Sequence, residues 1–315
     1  MNLIITGGSG LIGTHLTNLL VEKGHRVISL TRSPNWQQKR EGVDWVGWDA
    51  CTPEGWGHLV NTSSAIVNLA GEDSSGPNFF PTRWTEKRKK IIRDSRINAG
   101  RAVVEAVRMA QRRPSVVVQA SGAGVYGPTG DEMISEEHPF GNTYMARLGQ
   151  DWEASTQPVE AMGVRRVVIR TGVVLSTQSG ALPRMLLPFR LYAGGPLGSG
   201  RQYLPWIHPR DVAAAIFFFI QNRDTSGLYN LVAPQTVTNA EFGKTIAKVM
   251  HRPYWFPVPG FAMRLAFGEV ADVVLTGQRV IPQRLQQAGF KFHYPNLQPA
   301  LADVLGEPKE EPTDR

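Results

Sequence analysis

The chain has 315 residues, with 34 Lys and Arg against 27 Asp and Glu for a formal net charge of +7. That length suits about two domains, or one large α/β domain with an appendage, and an apolar content of 42% with 19% charged residues excludes a wholly disordered chain. A single cysteine, Cys51, excludes an internal disulfide framework and any Cys-based zinc site, and the longest apolar run, Val212 to Ile220, is too short to cross a bilayer.

Strand and helix alternate from the first residues. Leu3-Ile4-Ile5-Thr6 predicts a short buried strand, so no signal or transit segment is expected ahead of the fold, and a soluble cytoplasmic protein is expected. Leu11 to Lys23 follows as a helix ending near Gly24, and Arg26 to Leu30 as a second strand. Ser64 to Leu69, Ser115 to Gln119 and Val164 to Arg170 predict further strands, the last after a helix from about Asn142 to Met162. Apolar runs without strict alternation, separated by helices, indicate a parallel sheet covered on both faces. Right-handed crossovers then build a doubly wound α/β sheet of the Rossmann type.

Beyond Gly172 the rhythm changes. A loop rich in Gly and Pro, Gly194 to Gly200, precedes Trp206-Ile207-His208 and a helix from about Pro209 to Gln221. Past Arg252 come several prolines, short helical pieces and an aromatic strand, Phe290-Lys291-Phe292. The expected organisation is a cofactor domain over residues 1–172, whose sheet also receives segments of about 205–235. A smaller α+β substrate cap then occupies 173–305, with a frayed tail over 306–315.

The positive charge is concentrated. Arg83, Lys87, Arg88, Lys89, Lys90, Arg93 and Arg96 stand against only Glu86 and Asp94, a surplus of five within the chain's net seven. Such a helix either binds phosphate or an acidic partner, or presents a solvated face. No helix-turn-helix, zinc-finger or aromatic RNA-binding signature accompanies it, so sequence-specific nucleic-acid binding is not expected. No His, Asp or Glu cluster has metal-ligand spacing, and no metal is expected.

Thr6-Gly7-Gly8-Ser9-Gly10-Leu11-Ile12-Gly13 joins the first strand to the first helix. Its glycines read both as Gly7-x-x-Gly10-x-x-Gly13 and as Gly8-x-Gly10-x-x-Gly13, the dinucleotide-binding spacings, in the strand-turn-helix context that they require. Gly7, Gly10 and Gly13 let the backbone approach a pyrophosphate, and Leu11 and Ile12 open the helix whose N–H groups receive the anion. At the end of the second strand an NAD site places an acid. Here Thr31-Arg32-Ser33 stands instead, with no acidic residue between Arg26 and Arg40. A guanidinium with two flanking hydroxyls suits a 2′-phosphate, so NADP(H) is predicted over NAD.

With these residues the chain resembles the epimerase-like branch of the extended short-chain dehydrogenases, in the cell-division-inhibitor-like group of nucleoside-diphosphate-sugar epimerases. The resemblance covers about residues 1–305. It rests on Thr6 to Gly13, Asn68-Leu69-Ala70-Gly71-Glu72, Arg83-Trp84 through Lys87 to Ser95-Arg96, Leu187 to Arg190, Gly194 to Gly200 with Pro205 to His208, and Gly277-Gln278-Arg279-Val280. It implies that Asn68, Leu69, Ala70 and Gly71 line the adenosine and ribose side of the cofactor, and that Thr171 and Gly172 flank the nicotinamide. It also implies a family-specific C-terminal domain at about 250–298.

The family's catalytic Tyr-x-x-x-Lys reads Tyr144-Met145-Ala146-Arg147-Leu148 here, with Leu at the Lys position. Its Ser/Thr position falls on Gly122, with Ser121 adjacent. A phenol of pKa about 10 is ionised to about 0.1% at neutral pH, and bringing it to 7 takes about 4 kcal/mol. Arg147 lies one turn from Tyr144 but points differently from a residue at i+4, and Asp151 is its alternative partner. Tyr144, with help from Ser121, remains the candidate for moving a proton.

For the substrate, Arg83, Trp84 and Lys87 share the first turn of the basic helix near the cleft and suit an anionic molecule. Arg201, Trp206 and His208 match the segment by which related enzymes hold a nucleotide sugar. His208 also reads as a hydrogen-bonded core residue, the commoner fate of a His just before a helix, and Trp206 as the core of the cap. Two functions stay open: an NADP-dependent oxidoreductase or nucleotide-sugar epimerase acting on an anionic small molecule, and an NADP(H)-binding regulatory protein whose basic helix docks an acidic partner. The sequence leaves monomer and homodimer undecided.

Overall fold

The computed structural model describes residues 1–33, 40–74, 76 and 82–306. Its strands are β1 (Asn2–Thr6), β2 (Arg26–Thr31), β3 (Val43–Gly47), β4 (Ala65–Asn68), β5 (Val116–Gly122), β6 (Met133–Ile134), β7 (Arg165–Thr171), β8 (Val173–Val174), β9 (Trp206–Ile207), β10 (Gly227–Leu231) and β11 (Arg279–Val280). Its α-helices are α1 (Leu11–Glu22), α2 (Glu86–Met109), α3 (Tyr144–Ala154), α4 (Pro158–Ala161), α5 (Leu182–Arg190) and α6 (Pro209–Gln221). The series ends with α7 (Asn239–Val249), α8 (Gly260–Phe267), α9 (Asp272–Leu275), α10 (Gln283–Gln287) and α11 (Leu297–Leu305).

Seven strands form one sheet in the order β10-β7-β5-β4-β1-β2-β3, every neighbouring pair parallel. Side chains alternate between its faces because successive residues of a strand point oppositely. Leu3 and Ile5 pack with Leu16 and Leu20 of α1 and with Ile216 and Phe219 of α6. Ile4, Ile66 and Val117 pack on the other side with Val103 and Val107 of α2. Because both faces are covered, the strands read as continuous apolar runs. The chain winds from β1 towards β3 on one side and resumes at β4 on the other. The carboxyl ends of β1 and β4 therefore flank the crevice in which doubly wound sheets take ligands.

A further core joins Leu182, Leu186 and Phe189 of α5, Trp206, Phe242 and Ile246 of α7, and Leu297 and Leu301 of α11. Several elements differ from expectation. The helix expected over Asn142–Met162 is split into α3 and α4, with Pro158 at the start of the second. The basic helix runs on to Met109. Phe290-Lys291-Phe292 forms no strand. Instead the Phe290 ring lies edge-on to Phe218 and Phe292, an aromatic cluster against α6. Of the expected late additions to the main sheet, β10 joins it, whereas β9 pairs with β8. The expected tail beyond Gly306 lies outside the described residues.

Candidate active site

The turn after β1 has the geometry that its glycines permit. Gly7 has φ +68°, a region open to glycine. A Cβ on Gly13 would come within 2.4 Å of the Gly7 carbonyl oxygen, so helix and turn close on each other only without a side chain. The first intrahelical bond of α1 runs from Thr14 N–H to the Gly10 carbonyl. The N–H groups of Leu11, Ile12 and Gly13 therefore lack intrahelical acceptors and face the crevice end of the helix.

A groove of about 380 Å³ opens there, lined by Gly7, Ser9, Gly10, Leu30, Thr31, Arg32, Ser33, Trp48, Ala50, Leu69, Ala70, Gly71, Glu72 and Ser95. It unites Gly7, Gly10, Thr31, Arg32, Ser33, Leu69, Ala70 and Gly71, all expected cofactor contacts. The Arg32 side chain is 72% exposed at the rim, its Nη2 3.8 Å from Glu72. The Thr31 hydroxyl accepts the Ser33 N–H and shapes the turn after β2. Trp48 and Ala50 were missed, and Ser9, Leu30 and Ser95, though within motifs or a strand read from the sequence, were not expected as contacts. The first two follow β3, a strand not recognised in the sequence, and Ser95 lies inside the basic helix. Glu72 stood within a motif, but its place in the groove depends on the tertiary fold.

Asn68, expected with Leu69, Ala70 and Gly71 to line the adenosine and ribose side, is not among the residues lining the groove. Asn68 is fully buried, accepting from the Thr6 hydroxyl at 2.6 Å and donating to Gln119 Oε1 at 2.8 Å. The same Thr6 hydroxyl accepts the N–H groups of Leu69 and Ala70. Asn68 thus ties β1, β4 and β5 together and aims the next three residues at the groove. Thr171 ends β7 beyond β5 and Gly172 follows it, and a Cβ on Gly172 would come within 2.8 Å of Pro205. Neither lines the groove.

Tyr144 opens α3, whose first turn is capped by Thr143. Its hydroxyl donates to the Lys89 carbonyl of α2 at 3.0 Å, its ring meets Trp84 at 5.0 Å, and Lys89 Nζ lies 5.1 Å from the ring centroid. Burial raises the phenol above its ordinary pKa, opposed by Arg96 and Lys89 and reinforced by Glu269 and Glu86. Leu148 is buried in the wall one turn on. Arg147 turns back to the Asn142 carbonyl, while Asp151, its expected partner, pairs with Arg93 at 2.9 Å. Arg96 lies against the ring of Trp152, and its Nη1 donates to the Glu72 carbonyl at 3.0 Å. Burial draws the Arg96 pKa down to about 10.

The helper role expected of Ser121 is withdrawn. Its hydroxyl donates to Glu153 at 2.7 Å, and Glu153 is gripped by Arg170 through Nε at 2.8 Å and Nη2 at 2.9 Å. The strand points this side chain under α3, and its neighbour Gly122 offers no hydroxyl. The substrate roles of Trp206 and His208 are withdrawn too, because each is only 1% exposed. Trp206 Nε1 donates to the Gln235 carbonyl. His208 Nδ1 accepts the Arg210 N–H to cap α6, and its ring stacks on Tyr294 at 3.8 Å. The C-terminal residues that enclose it are distant in sequence.

Of the basic cluster, Arg83 donates to the carbonyls of Leu265 and Ala266. Arg88 pairs with Glu72, Lys89 with Glu86 and Glu269, and Lys90 with Asp94. With Arg93 on Asp151 and Arg96 on Glu72, six of the seven cations are engaged within the chain. Lys87 and Arg201 are exposed, and Trp84 donates to the Ser74 carbonyl. Among the described residues no three His, Cys, Asp or Glu side chains gather as metal ligands, and no helix is long and apolar enough to cross a membrane.

This fold and groove define a dinucleotide-binding protein of the extended short-chain dehydrogenase class. The chain belongs to the NAD dependent epimerase/dehydratase family, whose model matches residues 3–231. Residues 258–304 match a domain of unknown function, DUF1731. The epimerase family protein YfhF of Bacillus subtilis is 38% identical over 312 residues, covering 98% of this chain and 99% of that protein. The crystal structure of the human epimerase family protein SDR39U1 (isoform 2), solved with NADPH, superposes with a TM-score of 0.86 at 35% identity, covering 97% of this chain and 99% of that one. A nucleoside-diphosphate sugar epimerase from Corynebacterium glutamicum gives 0.76 at 30% identity, covering 97% of this chain and 58% of the other.

Proposed function

We propose that the protein is an NADP(H)-dependent oxidoreductase that reduces a carbonyl group on an anionic small molecule, with Tyr144 as proton donor. The observation that carries the reading is Arg32. A largely exposed guanidinium stands at the rim of a glycine-turn groove, at the strand end where an NAD site would hold a carboxylate. The residues present fit the cofactor: the Gly7 to Gly13 backbone and the start of α1 for the diphosphate, Arg32 with Thr31 and Ser33 for the 2′-phosphate, and Leu69 to Gly71 for the ribose side. The NADPH bound to the human relative supports this choice. When bound, the cofactor supplies the hydride that adds to the carbonyl carbon.

The protein's own part is the proton. A phenol raised by burial stays neutral near pH 7 and serves as an acid. Tyr144 releases the Lys89 carbonyl, gives its proton to the substrate oxygen and regains one from solvent. Lys89 and Arg96 stabilise the phenolate left behind. Epimerisation needs the same group to begin as a base, which Leu148 in place of the lysine disfavours. Reduction is therefore the direction that the geometry supports. Of the cations expected to meet the substrate, Lys87 and Arg201 are exposed and suit its anionic group, and a nucleotide sugar is one substrate of that kind.

A second reading, an NADP(H)-binding regulator with little or no catalysis, is favoured by the commitment of Tyr144 to Lys89 and of Ser121 to Glu153. Loss of nicotinamide absorbance on incubating NADPH with anionic carbonyl compounds separates the two. The enzyme reading expects turnover that falls about 100-fold in Tyr144→Phe, as for loss of a general acid. No turnover across the panel, with NADPH still bound, supports the regulator.

A further inference from the structure

Glu72 stands where β2, β4 and α2 meet at the rim of the cofactor groove. Its Oε2 is 3.8 Å from Arg32 and its Oε1 is 3.3 Å from Arg88. The main chain beneath is held twice: the Glu72 N–H donates to the Ser95 hydroxyl, and its carbonyl accepts from Arg96. The carboxylate therefore stays within the groove. Its two partners differ, since the Arg88 side chain is 15% exposed and the Arg32 side chain 72%. Arg88 is the lasting anchor, and Arg32 the partner that can be taken away.

A 2′-phosphate arriving at Arg32 meets a guanidinium that already faces a carboxylate. It must displace that contact and then remain beside a like charge. A neutral 2′-hydroxyl suffers neither penalty and finds an acceptor in the same carboxylate. We propose that Glu72 is a cofactor-specificity residue, competing with the 2′-phosphate for Arg32 and holding the preference for NADP over NAD below the value that Arg32 alone would set. This rests on the reading that Arg32 receives the 2′-phosphate.

The test is calorimetric titration of the whole protein with NADPH and with NADH. Glu72→Gln keeps the shape and removes the charge. It is expected to tighten NADPH about threefold, the range of an exposed ion pair, and to raise the ratio of the NADH Kd to the NADPH Kd by at least that factor. The gain shrinks in high salt. Arg88→Met leaves Glu72 one guanidinium fewer and moves the ratio the other way. Should Glu72→Gln not fold, Glu72→Asp, with a shorter reach to Arg32, is expected to give a smaller rise. A ratio that stays level or falls in the folded variant overturns the inference. Unchanged NADPH affinity in Arg32→Ala overturns instead the phosphate reading beneath it.

Discussion

Glu153 and Arg170 meet in a two-pronged contact beneath α3, and Ser121 adds a third bond to the same carboxylate. A buried ion pair contributes little over an apolar pair of similar volume, but removing one partner strands the other charge. Arg170→Met is therefore expected to destabilise the fold by about 3–5 kcal/mol, measured by urea unfolding. A loss below about 1 kcal/mol, the scale of an exposed pair, would show that solvent reaches Glu153. Ser121 was misread because standing next to Gly122 gives its place in the chain but not the side of the strand it leaves. Leu148 was legible, since a lysine's absence is visible in the sequence. The cations that stand near Tyr144, Lys89 and Arg96, come from another helix, and no spacing within α3 reveals them.

The start of α6 shows how an element hides a residue. His208 caps the helix through Nδ1, lies against Tyr294, and has Nε2 3.3 Å from Asp303 of α11. Burial lowers its pKa from 6.5 to about 4, although Asp303 and Asp211 pull the other way. A histidine held neutral in the folded chain contributes stability above its unfolded pKa, and that contribution is lost as pH falls from about 6.5 towards about 4. At about pH 5 the loss is expected to be about 2 kcal/mol. His208→Asn keeps a capping oxygen and cannot titrate, so its urea midpoint is expected to fall less between neutral and acid pH than that of the parent. Equal slopes in the two proteins would count against a neutral buried imidazole. The first strands and α1 were readable because their apolar runs are strong and glycine punctuates them. β3 was not, because Val43-Asp44-Trp45-Val46-Gly47 lies at a sheet edge, partly exposed, and lacks such a run.

Across the whole molecule, the sheet order puts the glycine turn, the Arg32 rim and the Leu69–Gly71 segment around one crevice. Those three pieces were legible because each is local: a turn, a strand end, and another strand end. What surrounds Tyr144 was not, because the C-terminal region supplies part of it. Glu269 pairs with Lys89 at 2.7 Å, and the end of α8 accepts Arg83. The basic helix illustrates the same limit. Its charge allowed either a docking stripe or a solvated face, and the tertiary fold engages six of its seven cations within the chain. Of that helix's seven cations Lys87 is thus left for an anionic substrate, while Arg32 at the groove rim is left for the cofactor.

The most direct test of the account is a calorimetric comparison of NADPH and NADH binding to the parent chain and to Arg32→Ala. The parent is expected to bind NADPH at least about tenfold more tightly, the worth of a charge-assisted contact, and the variant, with Glu72 left facing the 2′-position, to lose the preference for NADPH or to favour NADH. Equal affinities in the parent, or a preference that survives in Arg32→Ala, would contradict it.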